Sequence, residues 1–397
     1  MVTTTQAETA ITFKSYNSFE DIDFVKTTWL TMLNKCQHSY FTSWGWISTW
    51  IKSLPANLDV QFIVAYREQE PVVAFFIGSK KRNKHGFLPS RLISLNSTAD
   101  PYFDELYIEY NSILFDPSIP FIKDNLLSFL KSLSWDELIL PGVSSDFISE
   151  INLPVDNSTN DCYMIVDETV NAYFVEMRKI REAGMDFYQL LSANKRSQIR
   201  RSIKQYELEG AIQIHEAASA EEALAMLDSL AILHQREWQK KGKTGAFSNK
   251  YLFQFHKNLI RDRFDSNEIQ MLHIFNEKMT LGYLYNFVYR GHVFFYQSGF
   301  NYLVENIYRP GLVSHYYAIM LNARKNMDIY DFLAGDSAYK SSLSTDSIPM
   351  YWIRIESSRN RLKLEQNIKK IKHKLEQIPE LKNTLMRIIK SEHFRKN

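Results

Sequence analysis

Four stretches of this chain carry residue types and spacings that can do chemistry. The first is Tyr308 to Ser314, which follows an aromatic strand over 293–299 and opens a helix. A helix N-terminus offers unpaired backbone N–H groups and a positive dipole end, so it suits an anion such as a pyrophosphate. Pro310 suits the first turn, and Gly311 lets a ligand approach the backbone. Arg309 adds a charge-assisted contact, and Leu312, Val313 and Ser314 complete the turn. Taken alone, Pro-Gly simply starting a helix is the plainer explanation. The second stretch runs from Gly335 to Lys340, just past a strand holding Asp331. The i, i+3, i+4 spacing of Asp336, Tyr339 and Lys340 predicts one shared helix face: a carboxylate, a phenol and an ammonium able to move protons and hold an anion. An Asp336 that caps the helix, beside a solvated Lys340, is the structural alternative.

The third stretch pairs His234 and Trp238 at i, i+4 with Glu237 beside them. An imidazole titrates near neutrality and can take a proton from an amine, although a lone helical histidine is more often structural. The fourth is basic: Lys195, Arg196, Arg200, Arg201 and Lys204 can clamp phosphates or form a solvated helix face.

These residues need a scaffold, and the rest of the chain shows its plan. With 397 residues, 45% hydrophobic and 23% charged, the chain has ordinary globular composition and length for two or three domains, which excludes disorder over most of it. Net charge is +2, so there is no global claim on DNA. Cys36 and Cys162 form no metal or disulfide motif, and no run of 18 apolar residues occurs. The default expectation is a soluble, cytoplasmic protein that needs no metal and has no transmembrane segment. Residues 61–77 and 269–288 each read strand, turn, strand. Residues 121–133 and 311–325 each read as a helix, followed by strands that end in Gly142 and Gly335. The order strand, strand, helix, strand therefore occurs twice, with a boundary expected near 152–170. After residue 353 the chain carries 13 Lys/Arg against 5 Glu. Leu364, Ile368, Ile371, Leu375 and Ile378 form one apolar stripe of a helix that Pro379 should end, with a second helix over 381–394. A helical pair packed on the body with a solvated basic face is the favoured reading, with membrane-surface or nucleic-acid contact as the alternative.

In this order the segments resemble the FemAB-related, CelD-like branch of the GNAT acyltransferase superfamily. The resemblance rests on an aromatic segment from Tyr40 to Trp50, the basic segment at 195–201, and His234-x-x-x-Trp238-x-x-x-Gly242. It continues through Tyr296-x-Ser298-Gly-Phe300, the Pro-Gly helix start, and Asp331-Phe-x-x-Gly-Asp-x-x-Tyr-Lys340. It covers roughly residues 38–345. It implies an α/β fold of two tandem GNAT-like domains with mixed sheets flanked by helices: a degenerate copy over 1–160, an acyltransferase domain over 161–356, and a basic helical tail over 357–397. The superfamily's usual phosphate loop is reduced here to Arg309-Pro-Gly311, which leaves acyl-CoA, an acyl carrier protein and an aminoacyl-tRNA open as donor carriers.

The expected activity is N-acyl transfer from acyl-CoA, acetyl-CoA for instance, to a primary amine of a small molecule or sugar by direct attack. No nucleophile motif is present, and none is needed. The donor is expected on Arg309–Ser314. Asp336 or His234 is the expected proton acceptor, Tyr339 the proton donor to the leaving thiolate, and Lys340 an anion contact. Glu237, Trp238, Tyr296 and Ser298 are the expected substrate contacts. The rivals are a FemX-like transferase using charged tRNA and a non-catalytic double-GNAT scaffold.

Overall fold

The computed structural model describes residues 10–85, 87–119, 122–151 and 162–376. The first half contains β1 (Thr12–Asn17), α1 (Ile22–Leu33), α2 (Trp44–Ser53), β2 (Asp59–Arg67), β3 (Glu70–Lys84) and β4 (Leu88–Leu95). It closes with β5 (Leu114–Phe115), α3 (Ile122–Ser132), β6 (Glu137–Ser144) and α4 (Ser145–Glu150). Then come β7 (Tyr163–Glu176), α5 (Met177–Glu182) and α6 (Ala193–Glu207). The second half contains β8 (Gln213–Glu216), α7 (Ala220–Lys240), α8 (Lys250–Arg263), β9 (Ile269–Phe275), β10 (Thr280–Tyr289), β11 (His292–Phe300), α9 (Pro310–Arg324) and β12 (Ile329–Ala334). The chain continues through α10 (Ala338–Leu343), β13 (Asp346–Glu356) and α11 (Arg359–Glu376).

The duplication is longer than the four elements legible in the sequence. Apart from the two-residue β5 of the first half, each half runs strand, two helices, three strands, helix, strand, and in each the last strand pairs in parallel with the third of the three: β4 with β6, and β11 with β12. Such parallel pairs need a crossover, which α3 and α9 supply. All strands join one mixed sheet in the order β1-β2-β3-β4-β6-β13-β7-β12-β11-β10-β9-β8, with β5 beside β3. The halves exchange closing strands. β7, the first strand after the first half, pairs with β12, while the late strand β13 lies between β6 and β7. Residues 152–161 of the expected boundary lie outside the described residues, and the remainder falls in β7.

Alternation along the strands buries both faces. In β3, Ala74 and Phe76 join a core with α1 and α2, while Val73, Phe75 and Ile77 face α3. In β10, Tyr285 and Phe287 join that first core, and Leu281 and Leu284 face α9. The first core is common to both halves. Trp46 of α2 meets Phe255 of α8 edge to face, ring centroids 5.0 Å apart.

The tail helix α11 is present, and two of its polar residues tie it to the body. Glu365 pairs with Lys84 at 2.8 Å and Arg361 with Asp136 at 2.9 Å, while Leu364 and Ile371 are exposed. Ile378, Pro379 and the expected helix over 381–394 lie outside the described residues.

Candidate functional site

The parallel pair β11–β12 is short. His292–Phe294 pair with Ile329–Asp331, and beyond that register the two strands part. Two irregularities separate them. A bulge at Tyr296 breaks the β10–β11 register, and another in β12, over Phe332–Leu333, breaks its register with β7. Leu333 takes a left-handed backbone, φ 60°, which is costly for a bulky residue and common beside functional sites. A cavity of about 650 Å³ fills the resulting wedge. Its walls include Phe295 to Ser298 of β11, Phe332 to Ala334 of β12, and Gly335 just beyond it. The β11 edge facing it from Phe295 onward has no strand partner in β12, so backbone N–H groups there are available to a ligand.

The β12 bulge is held from three sides. Asp331 Oδ1 accepts from Leu333 N at 2.7 Å. Lys340 Nζ donates to the carbonyls of Leu333 and Ala334 at 3.2 and 2.7 Å. Glu109 Oε2 accepts from Ala334 N at 2.7 Å. Glu109 comes from the first half, lines the cavity and is 7% exposed. Burial, opposed by the Ala334 N–H and the Lys340 ammonium and aided by Asp331, pushes its carboxyl up to about 7. Its Oε1 has no hydrogen-bond partner among the described residues. Beside it, the Tyr110 hydroxyl donates to Asp331 Oδ2 at 2.5 Å, and His292 Nε2 lies 3.2 Å from the same oxygen. Burial lowers Lys340, and the carboxylates of Glu109, Asp331 and Asp336 oppose that fall.

Gly142 is what lets the first half deliver Glu109. Its φ is +59°, and a Cβ there would lie 2.2 Å from the Ile108 carbonyl oxygen. Asn111 N donates to Gly142 O at 2.9 Å, and Asn111 Nδ2 reaches Leu95 O and Pro141 O, pinning the loop to the ends of β4 and β6. Gly142→Ala is therefore expected to cost about 2–4 kcal/mol from left-handed strain plus backbone overlap. Urea midpoints measure that loss, and an unchanged midpoint would contradict the close packing.

The structure places the other anticipated residues as follows. His234, Glu237, Trp238, Tyr296, Ser298, Asp336, Tyr339 and Lys340 all line the wedge. Helix α10 starts only at Ala338, with Ser337 before it, so Asp336 sits exposed at the mouth, neither on the helix nor capping it. Both ring nitrogens of His234 are engaged, Nδ1 with Ser298 O at 3.2 Å and Nε2 as acceptor from Ala246 N at 3.4 Å, and burial lowers its pKa. Tyr296 donates to Leu106 O at 2.8 Å, and Glu237 pairs with Lys241 at 3.4 Å. Burial pushes the Tyr339 phenol up, and its hydroxyl has no hydrogen-bond partner among the described residues.

Tyr339, Phe300 and Tyr302 also line a second cavity of about 310 Å³ with Arg309, Gly311 and Leu312, so a cavity at the start of α9 adjoins the wedge across these three aromatic residues. That start has Pro310 in its first turn and no side-chain cap. Val313 and Ser314 are buried, so only their backbone can serve a ligand. Lys195 lies close enough to Arg309 that, after burial, the guanidinium is the next cause lowering its pKa. Neither cation forms an ion pair among the described residues, and Arg309 lines the second cavity together with Glu305, while Lys195 does not line it. Arg196 and Arg200 are partly engaged by Tyr188, through its carbonyl and its ring. Among the described residues no group of three His, Cys, Asp or Glu could hold a metal, and no helix is long and apolar enough to cross a membrane.

The segment carrying the wedge decides the comparison. Residues 193–341 match the acetyltransferase (GNAT) domain family. The matched segment runs from α6 to α10 and so contains β11, α9 and β12. It supports a transferase of the GNAT fold. Among solved structures the chain is similar to FemX, with TM-score 0.53 at 9% identity over 86% of this chain and 97% of that one. It is also similar to a conserved protein of unknown function from Bacteroides thetaiotaomicron, with TM-score 0.50 at 9% identity over 87% and 100%. Identities this low speak to the fold alone. No curated protein matches the chain.

The sequence reading missed Glu109 and Tyr110. The only local signal was negative, an ionisable pair in a stretch without helical or strand period.

Proposed function

We propose that the chain is an N-acyltransferase that moves an acyl group from acyl-CoA to a primary amine of a small molecule by direct attack. The observation that carries this reading is a pair of adjoining cavities that share Phe300, Tyr302 and Tyr339, one lined by Arg309 at the α9 start and the other by the buried Glu109 carboxylate at the β12 bulge. The residues fit such a donor. Arg309, Lys195 and the α9 N–H groups suit its phosphates, and the aromatic passage past Phe300 and Tyr302 suits its thinner arm. When bound, acyl-CoA supplies a thioester carbonyl activated for attack.

The chain's own residues do the rest. Glu109 Oε1 accepts a proton from the substrate ammonium, and its raised pKa matches that task near neutrality. Free N–H groups on the β11 edge stabilise charge on the carbonyl oxygen. Tyr339, kept protonated by burial at the junction of the two cavities, gives a proton to the departing sulfur. An N–C bond forms and the C–S bond breaks. The ammonium gives one proton to Glu109 before attack, and the second proton it loses on collapse replaces the one Tyr339 delivers to the sulfur. Tyr339 therefore ends protonated, and the net proton on Glu109 passes to solvent. Lys340 and Asp331 act as positioning residues that fix the bulge. His234, with both nitrogens occupied, forms wall rather than base.

Calorimetric titration of the full chain with acetyl-CoA and with charged tRNA tests the reading. Saturable acetyl-CoA binding without tRNA binding is expected. The reverse result would replace the reading with aminoacyl transfer, which the exposed Arg201 and Lys204 on α6 favour.

A further inference from the structure

The acceptor end of the cleft carries its own chemistry. Four lining carboxylates, Glu109, Glu168, Glu237 and Asp336, face two lining ammonium groups, Lys241 and Lys340. Both ammonium groups are engaged. Lys241 pairs with Glu237 at 3.4 Å, and Lys340 donates to the bulge carbonyls. Glu168 and Asp336 have no ion-pair or hydrogen-bond partner for their side chains among the described residues. An anionic acceptor would meet uncompensated repulsion here, while a cationic one meets vacant carboxylates.

Glu168 lines the cavity from an exposed position. It is the direct cross-strand partner of Trp352, and both line the cavity. The β7–β13 register slips between Trp352 and Ile353, so Asp167 is the extra residue of a bulge. Asp167 takes Arg354 in a two-point pair at 3.0 and 2.9 Å, and Glu168 is left without a cation. A carboxylate beside an indole on one wall attracts an ammonium twice, by charge and by the ring face. Deeper in, Glu109, itself only 7% exposed, presents an unpaired Oε1.

We infer that the acceptor is a diamine or polyamine without an anionic group, its remote ammonium held by Glu168 and Trp352 while its reactive amine reaches Glu109. This rests on the acyltransferase reading and names its substrate class.

Calorimetric titrations of the full chain with spermidine, 1,4-diaminobutane, n-butylamine and L-glutamate test it, alongside acetyl-CoA in the same preparations. Spermidine and 1,4-diaminobutane are expected to bind about tenfold or more tighter than n-butylamine, with L-glutamate weakest. In Glu168→Gln that preference for diamine over monoamine should shrink by about tenfold, and Trp352→Leu should shrink it in the same direction. A preference unchanged in both variants, or L-glutamate binding as well as spermidine, overturns the inference. Acetyl-CoA binding without any diamine preference would overturn the inference alone, leaving acyl transfer standing. Diamine preference without acyl-donor binding would uphold the cation site and remove the donor reading.

Discussion

Glu109→Gln is expected to lower the rate of acyl transfer by about 10²–10⁴ while changing donor affinity little, the signature of a lost general base. Glutamine keeps the shape and can still accept from Ala334 N, so the β12 bulge should survive. The pH dependence gives a second readout. A base works only when unprotonated, and burial holds this carboxyl at about 7. In the wild type kcat/KM should therefore rise with pH up to about 7 and level off above it. In Glu109→Gln that rising limb should vanish. A variant with the wild-type rate and the same limb would place the proton acceptor elsewhere, with exposed Asp336 the first place to look.

Gly311→Val should weaken acetyl-CoA binding by about 10–100-fold, the range expected from overfilling a packed site. A Cβ at Gly311 would already stand 3.2 Å from the Phe300 ring, so the valine methyls must either displace that ring or project into the 310 Å³ passage. Either way the route from the α9 start to the wedge narrows. Thermal melts of the same variant separate loss of affinity from loss of fold. Full affinity in a folded Gly311→Val would remove the start of α9 from the donor site.

The elements were more legible than the site they build. Alternating and helical periods marked β2–β3, β9–β10, α3 and α9, because each buries one face. The Pro-Gly start of α9 and the residues from Asp331 to Lys340 also read directly, being local in sequence. The strand exchange did not, since nothing in the pattern of 163–176 says which neighbour it pairs with. Glu109 was hidden for the same reason. Its partner Ala334 is 225 residues away, and it sits between left-handed Tyr107 and Tyr110. The grouping of Asp336 with Lys340 assumed a helix running through both. Because α10 begins at Ala338, the two diverge, Asp336 to the mouth and Lys340 to the buried bulge. Glu168 depended on a bulge that only strand pairing reveals.

The central claim is direct attack on a CoA-borne acyl group within the β11–β12 wedge. Rapid-quench mass spectrometry of the acetyl-CoA-loaded protein, mixed with spermidine or n-butylamine, tests it most directly. The account predicts that N-acetylated amine and free CoA thiol appear together at one rate, with the mass of the protein unchanged throughout. Thiol release that precedes the acetylated amine, with the acetyl group found on the protein, would contradict it.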